Sequence, residues 1–360
     1  MRSHQIVLLP GDGIGPEITC VAKNLLDVAS KKYGFELIFE EKLIGGNAID
    51  QTGSPLPKET LEACKKCDAV LLAAIGNPRF DLLPREKRPE TGLLSLREGL
   101  GLFANIRPVK TIPALIESSP LKSAVIKDVD LIVIRELISG IYFGKPKGRV
   151  KTANEERAFN TMTYSDKEIQ SIAEVGFNIA SQRKKKICSI DKANVLDVSQ
   201  LWREEVERIS TKYPDIQLNH MYIDNAAMQL IRNPSQFDVL LTGNLFGDIL
   251  SDEASMLTGS IGVLPSASLS KEGPGVFEPV HGSAPDIAGL DKANPIAMVL
   301  SAAMMLRIGL KEEKAAASLE IAVEQVLNQG FRTADLVTEN TKEIGCKAIG
   351  QELIKALEGI

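Results

Sequence analysis

Two carboxylates four residues apart, Asp248 and Asp252 in TGNLFGDILSDEAS, could hold a metal ion. Near the start of an expected helix that spacing puts both on one face. Asp224, read as closing a strand in YIDNAA, could add a third carboxylate. Hard divalent cations such as Mg²⁺ or Mn²⁺ take oxygen ligands and keep positions for water and substrate. Taken alone, the pair also fits a solvated helix face; Gly243, Gly247 and the apolar neighbours argue for a crowded backbone instead. With only three histidines (His4, His220, His281), a His-rich metal site is excluded, so any metal here must use carboxylates.

A second group is basic. Arg97 in LLSLREG, Arg107 in FANIRPV and Arg135 in IVIREL each sit among apolar residues, where an unpaired charge is costly. Guanidinium groups grip carboxylates bidentately, each charge-assisted bond contributing about 1.5–3 kcal/mol. Three converging arginines would suit a dicarboxylate or tricarboxylate; structural ion pairs with Glu98 and Glu136 are the plainer alternative. Lys192 in SIDKANVLD follows a buried-looking strand, and a lysine desolvated beside cations can lose its proton and act as a base. Tyr142 in SGIYFG could donate a proton. In FEPVHGSAPDIAG, the N–H groups of Gly282 and Ser283 could cradle phosphates. Asp286 could accept from a ribose diol and repel a 2′-phosphate, favouring NAD over NADP. His281 could contact an adenosine or be an ordinary hydrogen-bonded loop histidine.

These residues need a scaffold, and the patterning supplies an α/β one, because short apolar runs alternate with helix-period segments. Strands are expected at Ile6–Leu9, Phe35–Phe39, Ala69–Ile75, Asp130–Arg135, Lys186–Ile190, Leu218–Ile223 and Phe237–Leu241. Helices are expected at Glu17–Lys32, at Leu56–Cys67 and from the capping box of Ser165 and Glu168 to about Lys184. The last hundred residues read as mostly helical, and no linker separates domains. Ile138–Tyr164 breaks the rhythm, with strand-like pieces at Ile141–Phe143 and Phe159–Tyr164; a protruding β-arm or an ordinary hairpin would fit. LLPGDGIGPE imitates a dinucleotide-binding loop, but Pro16 stands where the fingerprint needs its third glycine. Pro16 suits the first turn of a helix, so a Rossmann site is rejected there, although the turn could still lie beside a cofactor.

Bulk properties narrow the classes. The chain has 360 residues, a net charge of −5 and 44% hydrophobic residues, which suits two domains or one large α/β unit. No basic run exceeds the four residues Arg183–Lys186, so nucleic acid is not expected as a partner. The apolar run Ile296–Leu306 is too short to span a bilayer and reads as a core helix. The N-terminus lacks signal character, so a cytoplasmic protein with no membrane partner is expected. The five cysteines are odd in number and scattered, unlike a disulfide framework. Cys64 and Cys67 form a CxxC without a second Cys/His pair and read as ordinary helix cysteines.

From LLPGDGIGPEI to GFRTADL, the chain resembles the β-decarboxylating dehydrogenases of the isopropylmalate and isocitrate family. RPETGLLSLR, LFANIRP, DKANVLD, GNLFGDILSDEA and EPVHGSAPDIAG are most similar to its isopropylmalate branch. The resemblance implies a two-domain, non-Rossmann α/β fold with one large mixed sheet shared between domains. The expected division is 1–102 plus 256–360 on the cofactor side and 103–255 on the substrate, metal and dimerisation side, with an arm at about 138–164. It also implies NAD-dependent oxidative decarboxylation of 3-isopropylmalate to 4-methyl-2-oxopentanoate and CO₂, a leucine-biosynthesis reaction. Arg97, Arg107 and Arg135 would bind the malate carboxylates, with Glu90, Leu93 and Leu94 facing the isopropyl group. Asp224, Asp248 and Asp252 would hold Mg²⁺ or Mn²⁺, Asp224 also touching substrate, while Lys192 and Tyr142 would move protons. His281, Gly282, Ser283, Ala284, Pro285, Asp286 and Asn294 would hold NAD. Lys192 and Asp224 would reach the site from a neighbouring subunit, making a homodimer the active unit. Ile138 and Ser139 stand where the family usually has Thr-Gly, which bears on the loop leading to Tyr142. A sister enzyme for isocitrate, tartrate or homoisocitrate is the nearest rival; a regulatory subunit would have lost the arginines, the lysine or the metal carboxylates. A Mg²⁺-dependent phosphate-binding protein would leave the arginines and Lys192 without a purpose.

Overall fold

The computed structural model describes residues 2–360. The apolar runs become strands β1 (Arg2–Gly11), β2 (Phe35–Glu41), β3 (Ala69–Ala74), β4 (Ala104–Lys110) and β5 (Asp130–Glu136). After an exposed hairpin, β6 (Gly148–Lys151) with β7 (Glu156–Phe159), come β8 (Lys186–Asp191), β9 (Gln217–Tyr222), β10 (Val239–Thr242), β11 (Pro265–Leu269) and β12 (Gly275–Pro279). Ten of them form one mixed sheet in the order β2-β1-β3-β12-β11-β4-β5-β10-β8-β9. Both ends are parallel, whereas β11 and β4 run antiparallel to their neighbours and join the two halves. The fully buried AVLLAA of β3 shows why both faces must be covered.

The first half is covered by α1 (Gly15–Tyr33), α2 (Gly45–Thr52), α3 (Lys58–Lys66) and α4 (Pro89–Gly99). In the middle of the chain lie the single turn α5 (Ser123–Ile126), then α6 (Asp166–Ser181), α7 (Asp197–Ser210), α8 (Ile223–Arg232) and α9 (Asn244–Ser255). The C-terminal α10 (Ile296–Met304), α11 (Glu313–Asn328) and α12 (Cys346–Gly359) pack with α1 on the first half. Four apolar clusters result, two on each half of the sheet, although Leu115 of the segment Pro113–Ser118 joins the cluster of the C-terminal helices. Among the described residues no helix is long and apolar enough to cross a membrane; Ile296–Met304 is a core helix, as its sequence suggests.

Most expected elements are found within a few residues, including Pro16 in the first turn of α1 and the capping box of Ser165 with Glu168. Three differ. Ile141–Phe143 is not a strand: Gly140–Tyr142 forms a single 3₁₀ turn whose Gly140 has φ of 72°, a left-handed conformation closed to most side chains. Strand β7 stops at Phe159, so 160–164 is irregular and the arm's hairpin is confined to 148–159. Strand β9 stops at Tyr222, so Asp224 lies in the first turn of α8, where its carboxylate favours the helix N-terminus.

Candidate active site

The three arginines come from α4, β4 and β5, and all are buried, Arg135 at only 2% exposure. Their acceptors are not the neighbouring glutamates. Arg97 pairs with Glu278 of β12 at 2.9 Å, not with Glu98. Arg107 donates to Asn105 Oδ1 at 2.7 Å, to Ser251 Oγ at 2.6 Å and to Asp252 at 3.3 Å. Arg135 pairs with Asp248 and gives two further bonds to Asn244 Oδ1, from Nε at 3.2 Å and Nη2 at 2.8 Å. Glu136 instead accepts the backbone N–H groups of Ile138 at 3.0 Å and Ser139 at 3.1 Å. A strand explains the difference: successive side chains point to opposite faces, so Arg135 and Glu136 cannot meet.

Helix α9 is the opposing wall. Asn244, Asp248, Ser251 and Asp252 recur at three- and four-residue spacing and so face the arginines together. Close approach is permitted by Gly247, where a Cβ would stand 2.7 Å from Arg135 Cγ and 2.8 Å from its Cβ. Tyr142 joins through Asp248, whose Oδ2 accepts its hydroxyl at 2.8 Å. Burial, then the bond to Asp248, pushes the Tyr142 phenol up to about 12, so it stays protonated at neutral pH. Burial raises Asp248, but Arg135, the Tyr142 hydroxyl, Arg107 and Arg97 outweigh it and hold the carboxyl below its ordinary range. Asp252 is raised, chiefly by burial against the pull of Arg107. Burial and the neighbouring Arg107 lower Arg135 to about 10, which leaves it charged at neutral pH.

Lys192 lies just beyond β8 and donates to Asp224 Oδ1 at 2.6 Å, which holds the Asp224 carboxyl below its usual range. Its charged neighbour is thus an anion, not the cations expected from sequence. Asp224 is exposed on α8 and does not meet Asp248 and Asp252; among the described residues, the one trio of ligating side chains that closes within a single chain is Glu17, Asp291 and Cys346. The oxygen donors of Asp248 and Asp252 nevertheless suit a hard cation, which needs only one or two carboxylates beside water and substrate. Leu94 lines a cleft of ≈ 550 Å³ with Tyr142, whereas Leu93 packs against the apolar cluster of Leu96 and Leu100. Glu90 is exposed, its Oε1 beside Gly76.

His281, Gly282, Ala284 and Asn294 line a second cleft, of ≈ 470 Å³, together with Ile14 and Gly262. The early glycine turn does lie beside it. Ile14 N–H donates to Ser283 carbonyl at 2.8 Å, and any Cβ at Gly13 would overlap that carbonyl. Ser283 Oγ donates to Gly76 carbonyl at 2.5 Å, and Gly76 N–H donates to Asp12 Oδ2 at 2.9 Å, so the buried Asp12 anchors both loops. Pro285 and Asp286 are exposed; Asn294 is buried, donating to Asp335 at 3.0 Å. Two features suit a dinucleotide. The N–H groups of Gly282 and Ser283 have no protein acceptor among the described residues, and His281 Nε2 is buried without a partner. Burial lowers the His281 pKa, keeping the ring neutral.

The model of the family described as isocitrate/isopropylmalate dehydrogenase matches residues 5–353. The chain belongs to this family. Among its relatives, the 3-isopropylmalate dehydrogenase of Synechococcus sp. (strain CC9605) is 68% identical over 99% of this chain and all of its own length. That of Prochlorococcus marinus (strain MIT 9313) is 69% identical with the same coverage. The crystal structure of an isocitrate dehydrogenase from Methylococcus capsulatus superposes with a TM-score of 0.88 at 32% identity, over 98% of this chain and 99% of its own. A β-decarboxylating dehydrogenase from Thermococcus kodakarensis, in its apo form, gives 0.80 at 30% identity over 99% and 96%.

Within this family member, sequence reasoning missed residues that hold the arginines, Asn244, Asn105, Ser251 and Glu278, and Tyr164 behind them, whose hydroxyl accepts from Asn244 N–H at 2.7 Å. The available signal was the demand itself, since three buried guanidinium groups need acceptors that Glu98 and Glu136 could not all supply. The CxxC is inert: Cys67 Sγ donates to Cys64 carbonyl at 3.2 Å, and burial raises the thiols to about 12 for Cys64 and about 11 for Cys67.

Proposed function

We infer that the chain catalyses the NAD-dependent oxidative decarboxylation of 3-isopropylmalate to 4-methyl-2-oxopentanoate and CO₂, a step of leucine biosynthesis. The observation that carries this is the end-to-end identity of 61–69% with proteins named 3-isopropylmalate dehydrogenase. Leu94 beside Tyr142 supports an apolar substrate tail, where the extra carboxylate of isocitrate would lack a partner. The test is NADH formation with Mg²⁺ on 3-isopropylmalate, isocitrate, tartrate and malate. Preference for 3-isopropylmalate, abolished by EDTA and weak with NADP, is expected; preference for another acid would overturn the substrate assignment.

Arg97, Arg107 and Arg135 bind the malate carboxylates, Arg107 and Arg135 giving up part of their bonding to Asp252 and Asp248 as those carboxylates turn to a cation. Asp248 and Asp252, with Asp224 of a second subunit, would hold Mg²⁺ or Mn²⁺; His281–Asp286 and Asn294 would hold NAD. NAD would supply the hydride acceptor for C2, and the cation would supply Lewis-acid stabilisation of the charge that develops as CO₂ departs. Lys192 takes the proton of the substrate hydroxyl. Tyr142, kept protonated by its surroundings, returns a proton to the enol carbon. Glu90 and Leu93 complete the wall around the isopropyl group.

What one chain leaves uncovered supports a homodimer. Met228 and Ile231 of α8 and Ile249 and Met256, on and just after α9, are 41–62% exposed. Four large apolar side chains on adjacent helices suit a partner surface. A second copy packed there would bring Lys192 and Asp224 toward Asp248 and Asp252. Residues 1–102 with 256–360 and 103–255 act as two bodies hinged at the antiparallel centre of the sheet, and the hairpin at 148–159 serves as the dimer arm. Five free cysteines support a reducing, cytoplasmic setting.

A further inference from the structure

We propose that Asn244 is a positioning residue that couples the substrate-binding guanidinium of Arg135 to the loop carrying Tyr142. Asn244 is fully buried as the first residue of α9, and its amide is completely used. Oδ1 accepts both Nε and Nη2 of Arg135, while Nδ2 donates to the carbonyls of Leu137 at 3.0 Å and Ser139 at 3.1 Å. The orientation is fixed by chemistry: reversed, the amide would set its N–H groups against the guanidinium and its oxygen against two carbonyls.

The segment so gripped has left the sheet and splits its bonds between backbone partners at its two ends and side chains in between. Leu137 N–H donates to Phe103 carbonyl at 2.9 Å, Ile138 and Ser139 donate to Glu136, and Gly140 donates to Thr163 carbonyl at 3.0 Å. The carbonyls of Leu137 and Ser139 have Asn244 as their partner. Two residues beyond Gly140, Tyr142 reaches Asp248, one helical turn after Asn244. Asn244 and Asp248 therefore fasten the guanidinium and the phenol to one rigid helix face. No other side chain does this: Asp lacks the donors, Leu lacks both functions, and Gln is a methylene too long.

The test rests on the activity inferred above and reads KM and kcat for 3-isopropylmalate in N244D and N244A. N244D keeps the acceptor for Arg135 but opposes a carboxylate oxygen to two carbonyls, freeing the Tyr142 loop. Its KM should stay within about threefold of wild type while kcat falls about 10- to 100-fold, the scale of an ångström-sized misplacement. N244A should raise KM about tenfold or more as well, and KM for NAD should not move in either. In the double variant N244D/Y142F, kcat should be no lower than in Y142F alone, because both changes act through one hydroxyl; a structural defect would instead multiply. Multiplying effects, or unchanged kcat in N244D, would overturn the coupling with the activity itself intact. An inactive wild type would overturn both. Should N244A fail to fold, N244D and the double variant still decide.

Discussion

Replacing Gly247 with alanine adds one methyl group between α9 and β5. The new Cβ would sit 2.7 Å from Arg135 Cγ, 2.8 Å from Arg135 Cβ and 3.0 Å from Thr242 Cγ2. Comfortable carbon contacts are about 3.5–4.0 Å, so something must move by about 1 Å. The obstructing atoms are the root of a side chain only 2% exposed, on a strand paired on both sides, and cannot swing aside. Either Arg135 or α9 shifts, and α9 carries Asn244, Asp248 and Asp252. Stability should change little: alanine gains about 1 kcal/mol of helix propensity against about 1–3 kcal/mol for overpacking. The net loss of at most about 2 kcal/mol lowers the melting temperature by only a few degrees. A 1 Å displacement of a substrate-positioning group costs about 100-fold in rate, or about 3 kcal/mol. Thermal melting and steady-state kinetics on 3-isopropylmalate separate the two effects. If G247A keeps kcat/KM within about threefold of wild type, the close approach is not what sets Arg135, and the reasoning fails.

Removing Arg97 leaves Glu278 buried and unpaired, so R97M should lose about 3–5 kcal/mol in denaturant unfolding. Much of that should return in R97M/E278Q, and an R97M chain as stable as wild type would mean the pair is not buried in solution. Burial pushes Glu136 up from its ordinary 4.5 to about 7. The folded chain then holds a proton that the unfolded chain has already released, so this contribution is complete below pH 4.5 and is lost as pH rises through about 7. The loss is on the order of 3 kcal/mol, and an E136Q variant should lack that slope; an unchanged slope would assign it to other groups. If a second copy covers α8 and α9, M228E combined with I249E should halve the mass in light scattering and abolish turnover, although both residues lie outside the arginine and aspartate cluster. A monomeric, fully active wild type would refute shared active sites.

The sequence by itself determined most of the parts and their order, though not β4, β11 and β12 at the centre of the sheet. Alternation of apolar runs with helix-period segments fixed α/β elements such as β3 and α6, because burial on a strand or helix face is a local, periodic requirement. It also determined that Pro16 ends any Rossmann reading and that Arg97, Arg107 and Arg135, set among apolar neighbours, must be buried with partners. The tertiary structure decided which partners. Glu98 and Glu136 are adjacent in sequence to arginines they do not meet, while Glu278 lies 181 residues from Arg97 and Asn244 lies 109 from Arg135. Such pairings depend on strand order and on which face of α9 turns inward, and neither leaves a mark on local spacing. The turn at Gly140–Tyr142 reads as a strand in sequence for the same reason. Residues 137–139 leading into it are held by Asn244 and Glu136, and its Gly140 N–H by the Thr163 carbonyl, all outside the turn, so its own residues carry only the apolar character that strands and tertiary-clamped turns share.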